Sequence, residues 1–141
     1  MQTCPFCAIA ADLDHCGRAW ETETLIVFAD HRPIRSGHMQ IVTKDHYEVF
    51  DDLPTDLASE MIVLGQRIAR AQKVLFGVER VGFVLTGNEV AHVHAHVLPL
   101  FQADDITSAR FFDGNATFVS PSTQFQSAQA LSKMLEDQTY G

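Results

Sequence analysis

Basic residues are scarce in this 141-residue chain: 10 Lys and Arg face 18 Asp and Glu, and the formal net charge is −8. No basic run occurs, which excludes binding of long nucleic acid through its phosphate backbone. A small nucleotide stays admissible, because helix ends, histidines and backbone N–H groups hold a phosphate without a basic surface. No apolar stretch approaches the roughly 20 residues that cross a bilayer, so no membrane partner is expected. The opening MQTCPFCAIAADLD has neither the basic region nor the long apolar core of a secretory signal, which points to the cytoplasm. Cysteines are few and odd in number: Cys4, Cys7 and Cys16. That argues against a disulfide framework, and in a reducing cell a Cys-x-x-Cys pair reads as metal binding or redox chemistry. Repeats, low-complexity tracts and long linkers are absent, and the length suits one domain over residues 1–141.

What is present is a mixture of strand and helix signals. Residues 18–30 hold two extended runs, and Leu25, Ile26, Val27 and Phe28 suit a buried strand. Pro33 and Ser36-Gly37 make residues 31–38 a turn or loop, and MQIVTK, 39–44, reads as a hairpin partner strand. The spacing predicts a long helix from Pro54 to Phe76, with Leu57, Met61, Leu64, Ile68, Ala71 and Leu75 on one stripe. Pro54 suits its first turn and Gly77 its stop. Further strands are expected at 81–87 and 92–100, and a second, shorter helix from Ser122 to Asp137 with Ala128, Leu131 and Leu135 as its apolar face. Clustered strands around one long helix point to an α+β domain with an antiparallel sheet.

The stretch AHVHAHVLPL, residues 91–100, carries three of the seven histidines. Side chains alternate along a strand, so His92, His94 and His96 share a face, with Val93, Ala95 and Val97 on the other. Neighbouring histidines are then roughly 6.6 Å apart at the backbone, and the outer two about 13 Å, too far for one metal to take all three easily. A His-x-His pair still suits a metal. Imidazole also suits phosphate chemistry, as a nucleophile when neutral and an anion partner when protonated. A plain row of half-exposed strand histidines is the bland alternative.

His92-Val93-His94-Ala95-His96-Val97-Leu98 resembles the His-φ-His-φ-His-φ-φ signature of the histidine triad (HIT) superfamily, φ being apolar. CPFC is similar to the Cys-x-x-Cys of one branch, and residues 25–46 resemble the family's strand, Asp-containing turn, Gly-His step and strand ending in Lys-x-His. The likeness covers roughly residues 1–101, leaving 102–141 as a variable segment. It implies a sheet of about five antiparallel strands, one long helix and a homodimer. It also implies a nucleotide hydrolase or nucleotidyl transferase whose middle histidine attacks the α-phosphorus. The substrate classes implied are phosphoramidates, dinucleoside polyphosphates and related nucleotidyl esters.

Carried over by resemblance, His94 is the nucleophile, with its second ring nitrogen held by a backbone carbonyl. His96 contacts the phosphoryl oxygens and aids the leaving group, and Asp30 binds the ribose hydroxyls, although a turn-forming Asp is an equally ordinary use of that residue. The resemblance also implies that Cys4, Cys7, His46 and His92 form a structural zinc site, tetrahedral and closed. His38 matches a recurrent family histidine but receives no role, while His15, His31 and Cys16 are expected in loops or as small structural residues. The sequence departs from the family in the short LTGNEVAH, 85–92, where Gly87-Asn88 stands for the usual Gly-Gln. Thr86 and Asn88 are therefore the nucleotide-contact candidates there, and Thr43 replaces a proline with an effect expected to be structural only. Two other readings stand beside the enzyme: a non-catalytic, nucleotide-binding regulatory protein of the same family, and an unrelated His-x-His metalloenzyme.

Overall fold

The computed structural model describes residues 4–11, 17–87, 90–106 and 119–138. Helix α1 spans Pro5–Ala10, strand β1 Arg18–Glu21, β2 Leu25–Ala29 and β3 Met39–Thr43. After a short 3-10 turn at Phe50–Asp52 come α2 (Thr55–Phe76), β4 (Arg80–Val84), β5 (His94–Leu100) and α3 (Pro121–Asp137). The strands form one five-stranded sheet, ordered β1-β2-β3-β5-β4, and every neighbouring pair is antiparallel.

The long helix follows from its stripe. Leu57, Met61, Leu64, Ile68 and Ala71 are all buried against the sheet. Each large side chain there contributes about 1.5–3 kcal/mol by leaving water. Pro54 sits just outside as the N-cap, and Gly77 ends the helix in the left-handed region at φ +62°. Arg67, off the apolar stripe, is half-buried over the Trp20 ring at 5.3 Å and donates to Gln138 Oε1. On α3, Ala128, Leu131 and Leu135 are buried as their spacing suggests, and Ser120 caps the helix by accepting from the Thr123 amide.

The two faces of the sheet have different covers. Leu25, Val27, Ala29, Met39, Ile41, Ala95 and Val97 join the core formed with α2 and α3. Ile26, Phe28 and Val42 point the other way and pack with Phe6 and Ile9 of α1. That second face also carries Gln40, His94 and His96, since Val42 pairs with His94 and Gln40 with His96. Three sequence expectations need correction. The last strand begins at His94, leaving His92 in the approach to it, because residues 90–92 bend and the His92 amide bonds the Val90 carbonyl. Strand β4 ends at Val84 rather than continuing to Gly87, which has φ +75°. The N-terminal helix α1 was not foreseen; six residues are too few for a periodic signal. His15, Cys16 and Asn88 lie outside the described residues.

Candidate active site

His94 and His96 rise from β5 on the face opposite the two long helices, with ring centroids 5.3 Å apart. His94 Nδ1 is 2.8 Å from the His92 carbonyl oxygen. A carbonyl only accepts, so the proton is on Nδ1 and the lone pair is on Nε2. Among the described residues, no hydrogen bond reaches that Nε2. The Phe6 ring, delivered by α1, lies 4.9 Å from the His94 ring and forms one wall beside it.

His96 belongs to a different network. The Ile34 amide donates to His38 Nδ1 at 3.1 Å, which leaves the His38 proton on Nε2. His38 Nε2 is 2.9 Å from His96 Nδ1, so it donates there, and His96 holds its own proton on Nε2. Asp30 Oδ2 stands 3.4 Å from His38 Nε2 and 3.7 Å from His96 Nδ1. Burial lowers the pKa of His38, partly opposed by the Asp30 charge. Burial, with neighbouring His38 and His94 outweighing Asp30, pushes His96 down to about 3. Both rings are therefore neutral at pH 7, and His96 acts as an N–H donor without a full charge.

Asp30 is almost completely buried, which the ribose expectation did not anticipate. Oδ1 accepts from the Arg32 amide at 2.8 Å and Oδ2 from Gln40 Nε2 at 2.8 Å. Burial alone would raise its carboxyl pKa, but His38, the Arg32 amide, Gln40 and His96 together lower it. Each oxygen keeps a further lone pair for a hydroxyl donor. Asp30, His38 and His96 also place three donor atoms within 4.8 Å of one another. They are nevertheless poorly suited to a metal, because the Ile34 bond keeps a proton on the His38 Nε2 that would have to bind it. Thr86 is exposed in the loop after β4.

The second cluster is built differently. Cys4, Cys7, His46 and His92 bring four ligand atoms within 4.8 Å of one another. Cys4 Sγ is 3.3 Å from His92 Nδ1, Cys7 Sγ 3.5 Å from the same atom, and Cys7 Sγ 3.2 Å from His46 Nδ1. Sulfur–nitrogen edges of a tetrahedral zinc site are about 3.6 Å, from zinc–ligand bonds of about 2.3 and 2.05 Å. His92 Nε2 donates to the Thr43 carbonyl at 2.7 Å, so Nδ1 carries the lone pair a metal needs. Thr43 Oγ1 is a further 3.2 Å contact of His92 Nε2, so this threonine supports the His92 ring more directly than a proline replacement suggested. The donor set and the tautomer both fit zinc.

The HIT domain model matches residues 17–103. The chain belongs to the HIT family. An HIT-like protein of Mycobacterium tuberculosis, itself uncharacterized, is 31% identical over 112 residues, covering 76% of this chain and 78% of the relative. An adenosine 5′-monophosphoramidase of Saccharomyces cerevisiae is 29% identical over 97 residues, which is 68% of this HIT chain and 61% of the yeast protein. A zinc-bound histidine triad family protein from Mycobacterium smegmatis superposes with a TM-score of 0.77 at 26% identity, covering 95% of this chain and 94% of that one. Membership removes the reading as an unrelated metalloenzyme and supports nucleotide hydrolysis at the level of the family.

Sequence reasoning missed three residues that shape this HIT site. Phe6 carried a signal only as an unassigned position inside CPFC. His38 was noticed without a role, and Gln124, far off in the chain, had no signal at all.

Proposed function

We propose that this HIT protein hydrolyses, or transfers from, a nucleotidyl bond through a nucleotidyl-histidine intermediate on His94. The observation that carries it is the pair of opposed tautomers: His94 offers a bare Nε2, while His96 offers an Nε2–H. The His94 lone pair forms a bond to the α-phosphorus as the bond to the leaving group breaks. The ring becomes cationic, and its Nδ1–H bond to the His92 carbonyl strengthens as it does so. His96 Nε2–H hydrogen-bonds the phosphoryl oxygens, which carry the growing negative charge. Water then displaces His94 and releases the nucleoside monophosphate. Splitting the displacement in two is the benefit of a covalent intermediate.

Asp30 receives the ribose hydroxyls in this reading, and Thr86 is a candidate contact for the phosphates or leaving group; the role expected of Asn88 falls outside the described residues. Cys4, Cys7, His46 and His92 hold a structural zinc, which supplies a cross-link between α1, the segment after β3 and the approach to β5. The whole chain forms one cytoplasmic HIT domain that pairs into a homodimer. Exposed Ile62, Val63 and Val74 on α2 and Phe83 on the edge strand β4 support a covered apolar surface.

The test is a quench of turnover on adenosine 5′-phosphoramidate, followed by intact-mass analysis. An added nucleotidyl group on the wild-type chain, absent along with turnover in His94→Ala, is the expected result. A His94→Ala protein that still turns over at the wild-type rate sinks the assignment. Binding without turnover by the wild type, across phosphoramidates and dinucleoside polyphosphates, would favour the regulatory alternative.

A further inference from the structure

Gln124 lies on α3, beyond the residues that match the domain, yet its side chain ends beneath the site. It is 4% exposed. Its Nε2 donates to the Asp30 carbonyl at 2.9 Å and to the His38 carbonyl at 3.0 Å. Its Oε1 accepts from the Gly37 amide at 2.8 Å. One buried amide thus bonds three backbone groups at the two ends of the loop between β2 and β3, one of which, the His38 carbonyl, also accepts from the Asp30 amide at 2.9 Å. A buried backbone group without a partner is costly, so these bonds define the loop rather than decorate it.

That loop carries the residues on which the His96 tautomer depends. Asp30 opens it and His38 closes it. Ile34, whose amide sets the His38 ring, lies between them and is buried. Other ties hold the same loop from different directions: Gln72 Nε2 donates to the Gly37 carbonyl at 2.7 Å, and Arg35 pairs with Asp105 at 2.9 Å. Gln124 differs in reaching both ends at once.

We propose that Gln124 is a positioning residue of the active site, fixing the backbone at Asp30, Gly37 and His38 so that the His38 ring holds His96 as an Nε2–H donor. The variable C-terminal segment thereby contributes to the chemistry without touching substrate. The kinetic consequence rests on the proposed function; the structural consequence does not.

Two readouts on the full-length, zinc-loaded protein test this. Gln124→Met keeps the side-chain length and removes the amide. Its expected effects are a fall in kcat/KM on adenosine 5′-phosphoramidate on the order of tenfold or more, carried by kcat, and changed imidazole nitrogen shifts of His38 and His96. Leu131→Ala, on the same helix but in the core, serves as the control: it lowers Tm and leaves kcat and those shifts near wild type. Wild-type imidazole shifts in Gln124→Met, or equal changes in Leu131→Ala, overturn the proposal. If neither nucleotide turnover nor an adduct is found, the function falls while the imidazole comparison still decides the role of Gln124. If Gln124→Met does not fold, amide exchange on the wild type decides instead. A Gly37 amide as protected as those of β3 supports the clamp, and exchange at the rate of an open chain refutes it.

Discussion

His38 Nε2 lies 2.9 Å from His96 Nδ1, and the amide of Ile34 bonds the far side of the His38 ring at 3.1 Å. These two contacts give the hydrogen bonds a single direction, from backbone to His38 to His96 and then outward. The His94 ring, the proposed nucleophile, is oriented separately, by the His92 carbonyl. Two neighbouring histidines of one strand therefore present opposite faces of the same chemistry, a lone pair and a proton.

Replacing His38 should disturb the donor and spare the nucleophile. His38→Asn removes the ring that donates to His96 Nδ1, freeing His96 to adopt either tautomer. A drop in kcat of about tenfold to a hundredfold is expected, less than the roughly 10²–10⁴-fold of losing a positioned acid outright, because His96 itself remains. Quenched samples should still show the adduct on His94, formed more slowly. An unchanged kcat would separate His38 from the reaction.

The same burial makes the fold sensitive to acid. His96 has a folded pKa of about 3 against 6.5 for the free ring, so the unfolded state binds the extra proton between those values. Stability linked to this group is complete above about pH 6.5 and declines as pH falls toward about 3. His38 acts in the same direction, and Asp30, lowered from 3.8, adds a loss at more acidic pH. Urea unfolding of wild type and His96→Asn, both zinc-loaded, isolates the His96 part. The advantage of the wild type should shrink on going from pH 7 to 5; a constant difference would contradict the burial argument.

The zinc quartet should bind metal in proportion to protein. Cys7 Sγ approaches both His46 and His92, so Cys7→Ser is the most informative single change. Stoichiometric zinc in the wild type, its loss in Cys7→Ser and a Tm lower by several degrees are the expected outcomes of metal analysis and calorimetry. Full zinc content in Cys7→Ser would show that the four residues are not the site.

Much of this was legible in residue order. The period of Leu57, Met61, Leu64 and Ile68 placed α2, and strand alternation put His94 and His96 on one face with Ala95 and Val97 on the other. The metal quartet became legible only through resemblance, since Cys4 and His92 are 88 residues apart. His38 acquired its role from strand register: Gln40 pairs with His96, which sets the start of β3 beside the histidine row. Gln124 reaches Asp30 across 94 residues, and no local pattern encodes such a contact. Local rules read periods and turns; the polar clamps arise where separate elements meet.

Gly37 tests how tightly the loop is built. Its φ is +90°, and an added Cβ would run into the Phe76 ring at the end of α2. Gly37→Ala therefore combines backbone strain with a clash, and a loss of roughly 2–3 kcal/mol is expected in denaturant unfolding. The same substitution at Gly77 meets no atom within 4 Å and carries only the strain of φ +62°. Its loss should be smaller, roughly 1 kcal/mol. Equal losses at the two positions would mean that Phe76 yields without cost.

Phe6 joins the two halves of the site. Its ring packs 4.9 Å from His94, 5.8 Å from His92 and 5.8 Å from Phe28, while Cys4 and Cys7 flank it in sequence. Zinc held by the quartet would thus fix the short helix that presses Phe6 against His94. Phe6→Leu keeps an apolar side chain but loses the flat wall, so zinc content should stay whole while kcat falls severalfold and Tm drops by a few degrees. Chelation of the wild type should reproduce the fall in kcat, since α1 then loses its anchor. Treating Phe6→Leu with the same chelator separates the routes. If zinc acts on His94 through Phe6, the variant loses proportionately less activity than the wild type. An equal proportional loss would mean that the metal supports His94 through the His92 backbone instead.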